Sequence, residues 1–160
     1  GWAAAGAAAA AAAQGAPPSG GYGGPDPSMV RSIGDVRELA GAGGAVAQLV
    51  DARPAGRFEG TAPEPRPGLP SGHVPGSRSV PFQSVLAEGG AVKEPGEVRA
   101  VFQAAGVDTS PGAAPVVCTC GTGVTACILA LALERAGVEG VAVYDGSWSE
   151  YGASGLPIAE

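Results

Sequence analysis

The amino-acid sequence predicts an α/β fold in which a central parallel sheet is flanked by helices. Predicted strands and helices alternate along the chain, and this pattern is typical of a parallel sheet with crossover helices. Two of the strands, at Val116–Val117 and at residues 141–144, are continuously apolar, as expected of strands buried on both faces. Ligands of such sheets bind beyond the carboxyl ends of the strands, so the residues that follow each strand are the first candidates for a functional site.

Each element is predicted from its own signals. Ser32 is a typical N-cap for a first helix, which the glycines at 41, 43 and 44 would end. A strand at 46–50 leads to Asp51, and the segment 52–76, rich in proline and glycine, is predicted to be a long functional loop. The remaining elements are a helix at 96–105, a strand at 115–119, a helix at 123–136 and a strand at 141–144. The helix at 123–136 is apolar nearly all round and is therefore expected to be largely buried.

Length and composition indicate the domain organisation. The 160 residues suffice for one domain with a core. Residues 1–28, dominated by alanine, glycine and proline, are expected to be a low-complexity linker or the remnant of a preceding domain, which leaves 29–160 as the folded domain. Because the chain starts at Gly1 rather than at Met, we expect a processed product or a fragment, and no targeting segment is visible.

Charge, hydropathy and cysteine usage limit the expected partners and cofactors. The formal net charge is −6 and no basic stripe is present, which argues against nucleic acid. The alanine run at 7–13 is too short and too weakly apolar to cross a membrane. The three cysteines, at 118, 120 and 127, do not resemble a disulfide framework and favour a reducing compartment. The three cysteines are crowded into one stretch and only one histidine accompanies them, which does not suit a zinc site, and we expect no metal or cofactor.

Cys120 is the strongest candidate for a reacting group. It follows the strand at 115–119, and two glycines open the backbone before the next helix begins. At such a place backbone N–H groups and the helix dipole favour negative charge, which lowers the pKa of a cysteine and makes it a nucleophile. The N–H groups of residues 121–125 and the hydroxyls of Thr122 and Thr125 would also stabilise a persulfide. The alternative is a buried structural cysteine.

Cationic groups for an anionic substrate have to come from outside this loop, which contains no Lys or Arg. Arg53, Arg57 and Arg66 are candidates, because arginine holds carboxylates bidentately. The alternative is that these arginines pair on the surface with the acidic residues at 51, 59 and 64. Asp51 either orients one arginine or caps the loop after its strand.

Two further segments are expected near the site. His73, the only histidine, is expected to bind backbone in its loop rather than to pair with Cys120. Asp145–Trp148 follows the last strand, and either shapes the edge of the site or forms a turn with a packing anchor. Because Asp51, Cys120 and Asp145 each follow a predicted strand, we expect them to share one edge of the sheet.

Four segments together resemble the rhodanese family of sulfurtransferases. In family order they are Asp51–Phe58, Ser71–Ser77, Cys120–Ala126 and Tyr144–Gly152. The likeness is to the second, catalytic half of a tandem 3-mercaptopyruvate or thiosulfate sulfurtransferase. It implies a rhodanese-like catalytic domain at 29–160, and a missing first rhodanese domain whose end would lie in residues 1–28.

The resemblance implies a double-displacement reaction. Cys120 would take sulfane sulfur from 3-mercaptopyruvate or thiosulfate as a persulfide and pass it to cyanide or to a thiol, for example that of a thioredoxin-like protein. Arg57 and Arg66 would hold the anionic group of the donor, with Asp51 in support. The donor-binding loop would comprise Gly121, Thr122, Gly123, Val124 and Thr125.

The resemblance also favours 3-mercaptopyruvate over thiosulfate as the donor. Members that prefer thiosulfate carry basic residues in the places that Gly121 and Thr122 hold here. The mercaptopyruvate type draws an aspartate and a histidine of its first domain into a relay with the loop hydroxyl. Such a protein would be cytoplasmic or mitochondrial.

Three other functions fit the sequence less well. A cysteine-loop phosphatase needs an arginine six residues after its nucleophile, where this chain has Ala126. A non-catalytic rhodanese-like binding module commonly lacks the loop cysteine, which is present here as Cys120. A redox pair of Cys118 and Cys120 lacks the Cys-x-x-Cys spacing.

Overall fold

The computed structural model describes residues 26–42 and 46–160. Within these ranges lies one parallel sheet, whose strands are β1 (Val30–Arg31), β2 (Gln48–Asp51), β3 (Arg78–Ser79), β4 (Val116–Thr119) and β5 (Val141–Tyr144). Their order in the sheet is β1-β5-β4-β2-β3. The predicted α/β class with a central parallel sheet is confirmed. The predictions for residues 1–25 and for Gly43 and Gly44 lie outside the described ranges.

Helices cover the sheet in the described part of the chain. They are α1 (Ile33–Gly41), α2 (Ala55–Phe58), α3 (Pro95–Ala104), α4 (Val124–Arg135) and α5 (Ser147–Tyr151), with short 3₁₀ turns at Pro27–Met29 and Phe82–Val85. Ser32 caps α1 as predicted: its hydroxyl accepts from the Asp35 N–H at 3.3 Å, and the Asp35 carboxylate accepts from the Ser32 N–H at 2.7 Å. None of these helices has the length and apolar character needed to cross a bilayer.

Two apolar cores lie on opposite faces of the sheet. Successive side chains of a strand point to opposite faces, so Val116 packs towards α3 and α4 while Val117 packs towards α1 and α5. Phe102 of α3 and Trp148 of α5 are large, fully buried members of the two cores. Strands β4 and β5 are therefore covered on both faces, as their continuous apolar pattern predicts.

Several short elements differ from the sequence prediction. The strands β1 and β3 have two residues each, which is too short for a hydrophobic period to register. The segment 52–76, predicted as a loop, contains α2, and α5 was expected only as an edge or a turn. The strand predicted at 46–50 is shifted, so that Asp51 is its last residue rather than the first residue after it.

The prediction that the helix at 123–136 is largely buried is only partly right. Leu129 and Leu133 are fully buried, whereas Val124 is 70% exposed and Leu131 is 55% exposed. The reason is that α4 packs on one face of the sheet and on α3, so its outer side remains uncovered in the described residues although its composition is apolar.

This difference along α4 gives a test of the fold. Leu129→Ala should lower the free energy of unfolding by about 2–5 kcal/mol, because it removes buried methyl groups and leaves a cavity. Leu131→Ala on the same helix is the matched control, and should change that free energy by no more than about 0.5 kcal/mol. Urea denaturation followed by circular dichroism measures both. Equal losses in the two variants would contradict the assigned packing of α4.

Candidate active site

Cys120 lies directly after β4, in the loop that leads to α4. Gly123 precedes α4 with a φ of +85°, a left-handed conformation that glycine adopts without strain. A Cβ at this position would lie 2.8 Å from the carbonyl oxygen of Asp145. Glycine therefore allows the loop to turn tightly around the sulfur, and Cys120 is only 1% exposed.

The surroundings of the Cys120 sulfur stabilise a thiolate. Burial on its own raises the pKa of the thiol, because a charged sulfur loses its water. Hydrogen bonds from the Thr125 hydroxyl and from the N–H groups of Thr122 and Ala126, followed by the Ser147 hydroxyl, outweigh burial and bring the pKa below its ordinary value. Thr122 and Thr125 are predicted donors, whereas Ala126 lies one residue beyond the predicted range.

The first turn of α5 holds the Cys120 loop in place. The Cys120 carbonyl accepts from the Trp148 N–H at 2.9 Å, and the Cys120 N–H donates to the Ser147 hydroxyl at 3.1 Å. Ser147 is fully buried with a φ of +51°, a strained conformation of the kind that clusters at active sites. Its hydroxyl donates to the Tyr144 carbonyl at 2.9 Å and lies 3.9 Å from the sulfur, so the carbonyl is the stronger of its two acceptors.

Arg53 is a buried cation that joins four segments of the site. Its guanidinium donates to the Asp51 carboxylate at 2.7 Å and to Glu64 at 2.9 Å. The Gly72 carbonyl accepts from it at 2.8 Å, and the Trp148 ring lies 4.4 Å from its central carbon. Arg53 and Asp51 are each 1% exposed. The alternative that Arg53 pairs with acidic neighbours is confirmed, but the pairs lie in the interior rather than on the surface.

Arg57 reaches the site from α2. Its Nε donates to one oxygen of Glu64 at 3.0 Å and its Nη2 donates to the other. The Arg57 side chain remains 22% exposed. A Cβ at Gly121 would lie 3.0 Å from Nη2, so the guanidinium lies against the backbone of the Cys120 loop and a larger residue at 121 would displace it.

Arg66 is tied to the same loop through Ser149. Its Nη1 donates to the Ser149 hydroxyl at 2.8 Å, and that hydroxyl donates to the Gly121 carbonyl at 2.7 Å. The Ser149 N–H donates to the same carbonyl at 3.0 Å. Ser149 therefore fixes the position of Arg66 relative to Cys120, a role that nothing in the sequence indicates.

These groups surround a cavity of about 220 Å³. It is lined by Arg57, Glu64, Pro65, Arg66, Leu69, Cys120, Gly121, Thr122, Thr125 and Ser149. A larger cavity of about 320 Å³ lies between α1 and the segments that precede β2 and β4, and the described residues around it include no cysteine, histidine, serine or lysine. The nucleophile and the two accessible arginines therefore mark the smaller cavity as the candidate active site.

The structure brings most of the predicted site residues to this cavity and leaves three outside it. Asp51 lies behind Arg53, Gly123 precedes α4, and Val124 points outwards from its first turn. Asp145 is exposed and lies beside Gly123. The predicted site residues that line the cavity are Cys120, Arg57, Arg66, Gly121, Thr122 and Thr125.

His73 and the other two cysteines lie apart from the cavity lining. His73 binds backbone, as predicted: its Nδ1 lies 2.8 Å from the Phe58 carbonyl oxygen, and its ring stacks on that of Phe58. Cys118 is fully buried, and burial raises the pKa of its thiol far above the ordinary range. Cys127 is exposed on α4. The three thiols thus have three different environments, and that of Cys120 favours the thiolate.

The fold and the cysteine loop identify the family. The chain belongs to the rhodanese family, because its residues 32–154 match the family model for the rhodanese-like domain. The rhodanese-like fold expected from the sequence is thus confirmed.

Similar proteins are sulfurtransferases by name. The chain is 47% identical to 3-mercaptopyruvate sulfurtransferase of Rattus norvegicus over 126 residues, which cover 79% of this chain and 41% of that protein. It is 54% identical to thiosulfate sulfurtransferase of the same species over 105 residues, covering 65% of this chain and 34% of that one. A yeast mitochondrial complex I sub-stoichiometric sulfur transferase subunit superposes with a TM-score of 0.70 at 39% identity, covering 84% of this chain and 47% of that one. The chain spans less than half the length of each of these relatives.

The donors around Cys120 give a prediction for its pH dependence. Thr125→Val removes a hydroxyl that donates to the thiolate, so the pKa of Cys120 should rise. Because only the thiolate reacts, the pH midpoint of alkylation by iodoacetamide should move upwards. Intact mass against time at a series of pH values measures the rate, in a background with Cys127→Ser that removes the exposed thiol.

The matched control for this variant is Thr109→Val. Thr109 is buried, and its hydroxyl accepts from Gln103 rather than facing the sulfur. Its midpoint should equal that of the parent. An unchanged midpoint in Thr125→Val would contradict the role of the Thr125 hydroxyl.

Proposed function

We propose that this chain is the catalytic domain of a sulfurtransferase that moves sulfane sulfur through a persulfide on Cys120. The observation that carries the proposal is the position of the Cys120 sulfur. It is buried, surrounded by hydrogen-bond donors, and borders a cavity that also contains Arg57 and Arg66. A thiolate in that position can attack a small anionic donor held by the two guanidinium groups.

With 3-mercaptopyruvate as the donor the reaction balances without a further reactant. The Cys120 thiolate attacks the donor sulfur, so that a sulfur–sulfur bond forms while the carbon–sulfur bond of the donor breaks. The electron pair of the broken bond goes to carbon, which takes up the proton of the donor thiol, and pyruvate leaves. Cyanide or an acceptor thiolate, for example that of a thioredoxin-like protein, then attacks the outer sulfur and restores the Cys120 thiolate.

The cavity also favours a donor that carries one negative charge. Gly121 and Thr122 add no positive charge to the loop, so Arg57 and Arg66 are the cations available to the donor. Two guanidinium groups suit a carboxylate, which accepts bidentate hydrogen bonds. The similar proteins bear the names of both enzyme types, so the preference for 3-mercaptopyruvate over thiosulfate rests on this charge argument.

The proposed assembly includes a domain that this chain does not contain. We assign residues 29–160 to the catalytic domain and 1–28 to the end of a preceding rhodanese domain or its linker. Exposed Thr122 and Val124 beside the cavity are surfaces on which such a domain can close and supply the aspartate and histidine of the relay. The free thiols suit a reducing compartment, cytoplasmic or mitochondrial, and one similar structure is from yeast mitochondria.

The persulfide is tested directly by intact mass. Incubation with 3-mercaptopyruvate should add the mass of one sulfur atom to the parent chain, and Cys120→Ser should abolish the addition because no other thiol has the same donors. Cys118→Ser and Cys127→Ser are the matched controls, and both should gain the sulfur atom. Addition of sulfur to the Cys120→Ser variant would contradict a mechanism through a Cys120 persulfide. Faster addition with thiosulfate than with 3-mercaptopyruvate would reverse the donor assignment.

The link from Arg66 to the loop gives a second prediction. Ser149→Ala removes the hydroxyl that holds Arg66, and KM for 3-mercaptopyruvate should rise about fivefold, as expected for one hydrogen bond to a charged group. The rate at saturating donor should change much less, because the Cys120 sulfur keeps its own hydrogen-bond donors. Steady-state sulfur transfer to cyanide measures both quantities.

The control for this variant is Ser154→Ala. Ser154 lies just beyond α5 and its hydroxyl donates to the Tyr151 carbonyl, away from the cavity. KM should remain that of the parent. If Ser149→Ala also leaves KM unchanged, Arg66 does not depend on Ser149.

A further inference from the structure

Glu64 is an acidic residue in the lining of the cavity that we propose to bind an anionic donor. Among the described residues, the charged side chains that line the cavity are Arg57, Arg66 and Glu64. The Glu64 side chain is only 2% exposed, so its charge is weakly screened by water. A buried carboxylate beside a donor site acts on the donor through its field, whether or not it touches the donor.

Both oxygens of the Glu64 carboxylate are used by arginines. One oxygen accepts from Arg53 at 2.9 Å and from the Nε of Arg57 at 3.0 Å, and the other accepts from the Nη2 of Arg57. The charge of Arg53 is already matched by Asp51, whose carboxylate it contacts at 2.7 Å. Glu64 therefore neutralises Arg57.

The charged side chains around the cavity have a net charge of +1. The cluster of Asp51, Arg53, Arg57 and Glu64 holds two cations and two anions and is neutral. Arg66, which hydrogen-bonds to the neutral Ser149, leaves the donor site with a net charge of +1. The Cys120 thiolate is stabilised by neutral hydroxyl and N–H groups of its own loop and of α5 and adds one negative charge when it forms, so the value of +1 is the net charge of the groups other than the nucleophile.

We propose that Glu64 is a specificity-determining residue, which selects donors with a single negative charge by holding the net charge of the donor site at +1. The proposal rests on the proposed function in one respect, that this cavity is the donor site. A monocarboxylate such as 3-mercaptopyruvate matches the charge of the site. A dianion such as thiosulfate brings one negative charge more than Arg66 compensates, close to a carboxylate that is itself buried.

The test is donor binding in the absence of turnover. In a chain with Cys120→Ser, both 3-mercaptopyruvate and thiosulfate can bind but no sulfur can be transferred to residue 120. Isothermal titration calorimetry gives a Kd for each donor, and the measured quantity is the ratio of the two values. Glu64→Gln keeps the shape of the side chain and removes its charge. We expect it to shift the ratio about tenfold in favour of thiosulfate, as one added positive charge near a partly exposed site would.

A control variant separates the charge of Glu64 from its role in positioning Arg57. Glu64→Asp keeps the charge but shortens the side chain, so it should weaken both donors while leaving their ratio close to that of the parent. If Glu64→Gln also weakens both donors without changing the ratio, Glu64 only positions Arg57 and the proposal is overturned. Failure of 3-mercaptopyruvate to bind the parent would overturn it as well, because the cavity would then not be the donor site.

A second pair of variants covers the case in which Glu64→Gln does not fold. Arg57→Gln and the double variant Arg57→Gln with Glu64→Gln differ only in the charge of residue 64, and the double variant removes both members of one partly buried pair. The ratio should shift towards thiosulfate from the single to the double variant, and an unchanged ratio would overturn the proposal. Because no step here requires sulfur transfer, these results are independent of the mass experiment, which tests whether Cys120 forms a persulfide.

Discussion

The buried guanidinium of Arg53 is the interaction on which the rest of the site depends. Removing a charge from water costs several kcal/mol unless the charge is paired and hydrogen-bonded in good geometry. Arg53 meets that condition through Asp51, Glu64 and the Gly72 carbonyl, with Trp148 stacked on its face. These partners lie at the end of β2, in the loop after α2, in the loop before β3 and in α5. One cation thus fixes the relative positions of segments that are distant in the sequence.

The Cys120 loop is held between this cluster and α5. On one side Arg57, oriented by Glu64, lies against Gly121, and on the other side the first turn of α5 binds the Cys120 carbonyl and N–H. The strained conformation of Ser147 persists because the structure around it is over-determined: Trp148, the next residue, is anchored by Arg53 and by the Pro70 carbonyl. The electrostatic cluster and the nucleophile loop are therefore joined by direct contacts, which suits a site that must hold a reactive sulfur with little rearrangement.

The features that sequence reasoning found are those with a local signal. Apolar runs mark β4 and β5, a capping box marks α1, and a cysteine followed by two glycines marks the active-site loop, so each is legible within about ten residues. The features that it missed depend on contacts between distant residues. Ser147 hydrogen-bonds to Cys120, 27 positions away in the sequence, and Ser149 hydrogen-bonds to Arg66, 83 positions away. Nothing in the sequence distinguishes either serine from an ordinary serine in a turn. Val124 was expected to bind the donor because it belongs to the loop motif, but the turn of the helix directs its side chain outwards.

The difference in exposure between Cys120 and Cys127 has a practical consequence for work with this protein. A maleimide dye or a bulky disulfide reagent must reach a sulfur from several directions, and Cys127 on the outer side of α4 allows that approach. The pKa of Cys120 is lowered by its hydrogen-bond donors, but its side chain is almost wholly enclosed and faces a cavity of about 220 Å³. The size of a bulky reagent therefore limits its reaction with Cys120. Colorimetric thiol counting on the folded protein will detect Cys127 before it detects Cys120. The same property makes Cys127 a convenient attachment point for a fluorophore that leaves the cavity open.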